Sequence, residues 1–208
     1  MIFQWINGDL STLNLIYILI SLIIGLTIHE FSHGFVAYKL GDDTAKSQGR
    51  LSVNPLHHID PFGFIAIMLV GFGWAKPVMM NPYKFKHLRD GIMLTALAGP
   101  LSNFLLAILG SLLLNFNIPE PINTFVQYFI MLNLILATFN ILPIPPLDGF
   151  KVLCRVLPDS LFYKVEEFER KYGFILLLVL LITGVLSALW YPIYNLFSIL
   201  LQYVANIF

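Results

Sequence analysis

The polar positions of this chain are confined to a few breaks between long apolar runs. No charged residue occurs from Leu10 to Ile28, and after His29 and Glu30 the run resumes from Phe31 to Tyr38 before Lys39 closes it. One helix across both parts rises ~45 Å at 1.5 Å per residue, more than the ~30 Å hydrocarbon core requires. Further runs at 91–114, 122–142 and 172–190 predict three more spanning helices, and a run at 193–208 after Pro192 predicts another. The stretch 59–75 is different: it is apolar but short, contains Gly63, Gly71 and Gly73, and has basic residues on both sides. Like-charged flanks require an even number of crossings, so this stretch reads as re-entrant or partly inserted. The pattern predicts an all-α polytopic membrane protein with about five to six membrane segments. Short extended or re-entrant segments fall near 46–85.

Composition agrees with this pattern. Hydrophobic residues make up 58% of the chain and charged residues 12%, with a mean hydropathy of +0.80. The formal net charge is zero and no basic low-complexity arm occurs, so nothing points to nucleic acid. Cys154 is the only cysteine, which rules out an intrachain disulfide and leaves helix packing to hold the fold. The first ten residues hold no Lys or Arg ahead of the apolar run, against the pattern of a cleavable signal peptide. Repeats are absent, and the chain reads as one domain over residues 1–208, with C-terminal helices at 172–208.

Charge also sets the orientation. All twelve Lys and Arg lie between Lys39 and Lys171, in groups at 39–50, 76–89 and 151–171. These groups are expected to face the cytoplasm, and the breaks at 1–14 and 115–123, which lack Lys and Arg, to lie outside. The first helix then runs from outside to inside. Ten residues separate His29 from Lys39, placing His29 ~15 Å below the cytoplasmic end of a straight helix.

His29, Glu30 and His33 are therefore embedded in a spanning helix. Residues i and i+4 of an α-helix share a face, so both imidazoles reach one metal ion, and Glu30 projects beside the same site. In His-Glu-x-x-His enzymes the glutamate takes a proton from the attacking water. Three polar groups that merely pair with neighbouring helices would be the simpler explanation. Ionisable groups inside a membrane are costly, however, and three at ligand spacing favour a metal site.

A third ligand must come from elsewhere, and His57, His58, Asp60, His87 and Asp148 all lie near the predicted membrane ends. Asp148 is the strongest candidate. It follows a spanning run at the end of Asn140-Ile-Leu-Pro-Ile-Pro-Pro-Leu-Asp148-Gly149, whose three prolines cannot sustain a helix. Irregular backbone at membrane depth needs protein or a wet cavity around it, where a carboxylate can serve. Read alone, Asp148 is equally an N-terminal cap for a helix over 149–157. His57 and His58, between Pro55 and Pro61, read as a turned interfacial segment.

These motifs together resemble the site-2 protease family of intramembrane zinc metalloproteases, in the compact form without a PDZ domain. The resemblance rests on His29-Glu30-Phe31-Ser32-His33, on Ala98-Gly99-Pro100-Leu101-Ser102-Asn103, and on Asn140 through Gly149, in matching order over about residues 13–157. It implies one Zn²⁺ per chain held by His29, His33 and Asp148, with Glu30 as catalytic base. It also implies a three-helix catalytic core at 13–40, 91–114 and 122–142. The implied reaction is hydrolysis of peptide bonds in or near transmembrane segments of membrane-protein substrates, as in regulated intramembrane proteolysis. The implied setting is a bacterial cell membrane, with the site toward the cytoplasm. Asn103 and Asn140 would lie near the active site, where either could support the transition state or simply bond between helices. Segments at 50–53 and 76–80 would pair with an unwound substrate strand. The breaks at 115–122 and 143–171 are too short for a PDZ-like insert.

Two other classes fit the sequence less well. A histidine-box oxygenase needs more histidines than the five present. A catalytically silent zinc-binding or transport protein of the same fold would gain little from Glu30, which is not required as a ligand. The charged segment 161–171 carries its charges at helical spacing and reads as a solvated surface helix.

Overall fold

The computed structural model describes residues 1–70 and 73–206, and it is all-helical, with no β-strand among the described residues. A short helix α1 (Ile2–Ile6) precedes α2 (Thr12–Lys39), which Ser11 caps by accepting from the Asn14 N–H at 3.1 Å. A four-residue α3 (Thr44–Ser47) and α4 (Pro61–Val70) lead to α5 (Leu88–Leu113) and α6 (Glu120–Asn140). The last three helices are α7 (Asp148–Cys154), α8 (Asp159–Ile182) and α9 (Val185–Ala205). Among the described residues α2, α5, α6 and α9 are long and apolar enough to cross a membrane. With α4 and the apolar second half of α8, six apolar elements are present.

Helices α2, α5 and α6 pack in all three pairings and form the centre of the molecule. Small residues let their backbones approach, as membrane packing requires. Gly110 of α5 lies where a Cβ would meet Ile130 of α6 at 2.7 Å, and Gly25 of α2 faces Leu136 of α6 in the same way at 2.8 Å. Beyond α6 the Pro-rich segment 141–147 turns back. Leu142, Ile144 and Leu147 bury there against Leu177 of α8 and Leu186 of α9. Gly149, the second residue of α7, lies so close to the Ile141 carbonyl that any Cβ would overlap it.

The stretch 59–75 does not cross. Asp60 accepts from the Gly63 N–H to start α4, and Lys76 N–H donates to the His58 carbonyl at 2.8 Å, so the chain is back beside its starting point by Lys76. Gly63 and Gly73 allow this fold-back, because a Cβ on Gly63 would overlap the Trp74 carbonyl. Gly71 lies outside the described residues.

The C-terminal boundaries differ from the sequence expectation. The expected spans at 172–190 and 193–208 meet at Pro192, whereas the chain turns at Thr183–Gly184 and Pro192 lies inside α9. Gly184 adopts φ +76°, a left-handed conformation that ends a helix cheaply only at glycine. Proline inside a membrane helix removes one hydrogen bond that neighbouring groups can compensate. The charged segment 161–171 is not a separate helix either, but the first half of α8.

Candidate metal centre

His29 and His33 sit one turn apart on α2, both buried, with ring centroids 4.6 Å apart. Asp148, the first residue of α7, faces them: its Oδ2 lies 3.1 Å from His29 Nε2 and 3.2 Å from His33 Nε2. Polar contacts with α5 follow the end of α7. Arg155 binds Asp90 of α5, while Arg89 of α5 binds the Leu157 carbonyl and Asp159 and stacks over Phe162 at 4.7 Å.

The other ring nitrogens decide what these three donors can do. His33 Nδ1–H donates to the Thr95 carbonyl at 2.7 Å, and since a carbonyl can only accept, Nδ1 carries the hydrogen. His29 Nδ1–H donates to Asn103 Oδ1 at 2.6 Å. In the neutral rings both Nε2 atoms therefore present lone pairs, and both face a carboxylate oxygen. Three lone pairs converging on one point suit a cation between them. A tetrahedral zinc ion with donors at ~2.0–2.1 Å has donor-to-donor edges of ~3.3 Å. The two observed edges of 3.1 and 3.2 Å fit that ion. Gly99 of α5 covers the pair: a Cβ there would lie 2.5 Å from His33 Nε2 and 2.6 Å from His29 Nε2. The donor set and this cradle fit a single zinc ion.

Glu30 is half-buried beside the donors, and its Oε2 accepts from the Val78 N–H at 3.0 Å. Val78 belongs to the irregular segment 74–81, which is tied down at three points. Lys76 N–H donates to His58 O, Val78 N–H to Glu30, and Asn81 N–H to Asp42 at 2.6 Å. Asp42 is fully buried at the end of α2. The Val78 side chain packs over Gly34, where a Cβ would come within 3.3 Å of it.

His29, Glu30, His33, Asp148 and Asn140 all line one cavity of about 1090 Å³, walled mainly by apolar residues of α2, α4, α6, α8 and α9. Lys151 and Glu169 line it too, and burial raises the Glu169 carboxyl above the usual carboxylate range.

Of the third-ligand candidates, only Asp148 joins the two imidazoles. His57 is exposed and bonds to the Gly49 carbonyl, His58 is buried and bonds to the Ser52 carbonyl at 2.7 Å, Asp60 starts α4, and His87 lies exposed ahead of α5. Pro77, Val78 and Met80 line the cavity and residues 50–53 do not, and neither segment forms a β-strand. Both amide hydrogens of Asn103 are engaged, by Gly25 O and Asn133 Oδ1, so none points into the cavity. Asn140 uses one amide hydrogen on Leu136 O and keeps the other. Four partners of the site were not singled out from sequence: the Thr95 carbonyl, the Val78 N–H, Gly25 and Asn133. Asn133 alone carried a signal, as a polar residue seven positions before Asn140, and so on the same face of α6.

An all-helical membrane protein holding a His-His-carboxylate donor set with an adjacent glutamate defines a membrane-embedded metalloenzyme. The sequence profile of peptidase family M50 matches residues 117–180. The chain is 43% identical over 189 residues to the Bacillus subtilis protein named "Putative zinc metalloprotease YwhC", covering 86% of each. It is 36% identical over 146 residues to a protein of the same descriptor, MJ0611 of Methanocaldococcus jannaschii, covering 70% of this chain and 73% of that one. It is 29% identical over 198 residues to Rip2 of Mycolicibacterium smegmatis, also so described, covering 88% and 75%. No solved structure matches. The chain belongs to peptidase family M50 and is a zinc metalloprotease of the membrane.

Proposed function

We propose that this chain is an intramembrane endopeptidase that cuts membrane-protein substrates in or near a transmembrane segment, with His29, His33 and Asp148 as zinc ligands and Glu30 as catalytic base. The observation that carries this reading is the convergence of the three donors beside Glu30, on a spanning helix, at the wall of a cavity of about 1090 Å³. Zinc held there would supply Lewis acidity to the scissile carbonyl and bring the ionisation of water toward neutral pH. Glu30 is placed to take a proton from the attacking water and pass it to the leaving amine. The Val78 N–H bond holds the Glu30 carboxylate in a fixed direction, while Asn103 and Thr95 hold the two imidazoles. The unused Asn140 amide hydrogen is the donor available to the developing oxyanion.

The apolar cavity suits a single transmembrane segment, and the basic groups expected on the cytoplasmic side support a site whose polar end, with Lys151 and Glu169, faces the cytoplasm. Regulated intramembrane proteolysis is the setting this arrangement serves. A helical peptide bond is shielded by its own hydrogen bonds, so the substrate must unwind. Segment 74–81 offers an edge for the unwound strand: Lys76 and Val78 point their N–H groups inward, and in an extended chain Met79 then points outward. Met79→Pro removes that outward donor and is expected to raise KM for a membrane substrate roughly two- to tenfold, with kcat nearly unchanged. Steady-state kinetics in detergent or liposomes check this.

The reading is tested with protein reconstituted beside a single-span substrate. Fragment masses should place the cut within or next to the span, and replacing helix-breaking residues of that span by leucine should slow cleavage. Cuts confined to a soluble extension, indifferent to the span, would contradict it.

A further inference from the structure

We propose that Asn133 is a positioning residue for the metal centre, holding the Asn103 amide in the one orientation that leaves the His29 Nε2 lone pair facing the site. The inference rests on His29 being a zinc ligand, as proposed above. A carboxamide fits its place in two orientations of nearly equal shape, with oxygen and NH₂ exchanged. In the observed one, Oδ1 accepts from His29 Nδ1–H at 2.6 Å, and Nδ2 donates to Gly25 O at 3.0 Å and to Asn133 Oδ1 at 2.9 Å. In the reversed one, NH₂ faces His29 Nδ1, which becomes the acceptor. The single hydrogen of a neutral imidazole then moves to Nε2 and points into the donor set, where a metal cannot bind it.

Asn133 opposes that reversal. Its own Nδ2 donates to Phe129 O at 2.9 Å, so its Oδ1 is fixed toward Asn103, and a reversed amide would set oxygen against both Asn133 Oδ1 and Gly25 O. Asn103 and Asn133 are completely buried and His29 nearly so, leaving no water to replace a lost partner. Gly25 completes the arrangement, since a Cβ there would stand 3.0 Å from Asn133 Oδ1 and 3.6 Å from Asn103 Nδ2. Helices α2, α5 and α6 thus meet in a relay from Phe129 O through Asn133 and Asn103 to His29.

Zinc affinity, measured by competition with a chromophoric chelator on the purified full chain, tests the relay. Asn133→Leu is expected to lower it on the order of ten- to hundredfold. Asn133→Asp should stay close to wild type, because a neutral acid in this apolar setting donates O–H to Phe129 O and accepts from Asn103 with its carbonyl oxygen. Asn103→Asp has no NH₂ to turn toward His29, so adding Asn133→Leu in that background should cost no further affinity. An equal loss in both backgrounds would mean that Asn133 only packs, and unchanged affinity in Asn133→Leu would overturn the relay outright. If Asn133→Leu yields no folded protein, Asn133→Ala carries the same two-background comparison. His29→Gln and Asp148→Asn are measured alongside: zinc retained in these would overturn the ligand assignment, whereas zinc lost in them but kept in Asn133→Leu overturns the relay alone.

Discussion

Glu30→Gln is expected to keep its zinc and to lose peptide cleavage by on the order of 10²–10⁴-fold, the range a positioned general base contributes. Glutamine has nearly the same shape as glutamate and keeps an oxygen for the Val78 N–H, which donates to Glu30 at 3.0 Å. Segment 74–81 therefore stays tied to α2, and neither imidazole nor Asp148 loses a partner. What disappears is the ability to accept a proton. Zinc per chain and kcat on a membrane substrate, measured on the same preparation, separate these two consequences. A zinc carrier of this fold would show neither a cleavage rate to lose nor a dependence on Glu30, and full cleavage by Glu30→Gln would reject the base assignment.

Gly99→Ala should abolish stable zinc binding while the protein still folds. The added Cβ would stand 2.5 Å from His33 Nε2 and 2.6 Å from His29 Nε2, the atoms proposed to bind the ion. The rings cannot turn aside without breaking the bonds of 2.6 Å to Asn103 and 2.7 Å to the Thr95 carbonyl. Nor can α5 withdraw from α2 without breaking the same two bonds, because Asn103 and Thr95 are both on α5. Either adjustment separates the donors, so affinity is expected to fall by at least ~100-fold, the upper end of what lost outer partners alone cost. Overpacking typically costs ~1–3 kcal/mol, which a packed membrane core can absorb. Gly110→Ala is the control on the same helix. Its Cβ would press on Ile130 at 2.7 Å, far along α5 from the imidazoles, and it should keep zinc while losing comparable thermal stability. Equal zinc loss in both variants would make the effect one of general packing.

The legible parts of this protein were those with a residue-type signature. Uninterrupted apolar runs gave α2, α5 and α6 to within a few residues, because a spanning helix must be apolar over its whole length. The basic flanks and glycines of 59–75 pointed to a stretch that returns, and the Lys76 to His58 bond is that return. Spacing put His29 and His33 on one face, and a Pro-rich exit from a span brought Asp148 forward among five candidates. Backbone groups carry no such signature: nothing in the letters marks Thr95 by its carbonyl or Val78 by its N–H, yet these orient His33 and Glu30. The chain reversal near 184 was missed for a different reason. Proline was weighted as the breaker, although inside a membrane helix Pro192 is tolerated, while Gly184 reaches the left-handed turn that proline cannot.

The proposed chemistry depends on one zinc ion held by His29, His33 and Asp148. Zinc K-edge X-ray absorption on the purified chain and on Asp148→Ala tests it most directly. The expected result is one zinc per wild-type chain with two imidazole nitrogens at ~2.0–2.1 Å and oxygen donors at ~2.0–2.2 Å, and zinc lost from the variant under the same dialysis. A zinc shell without an imidazole pair, or Asp148→Ala holding zinc as tightly as wild type in an unchanged shell, would contradict it.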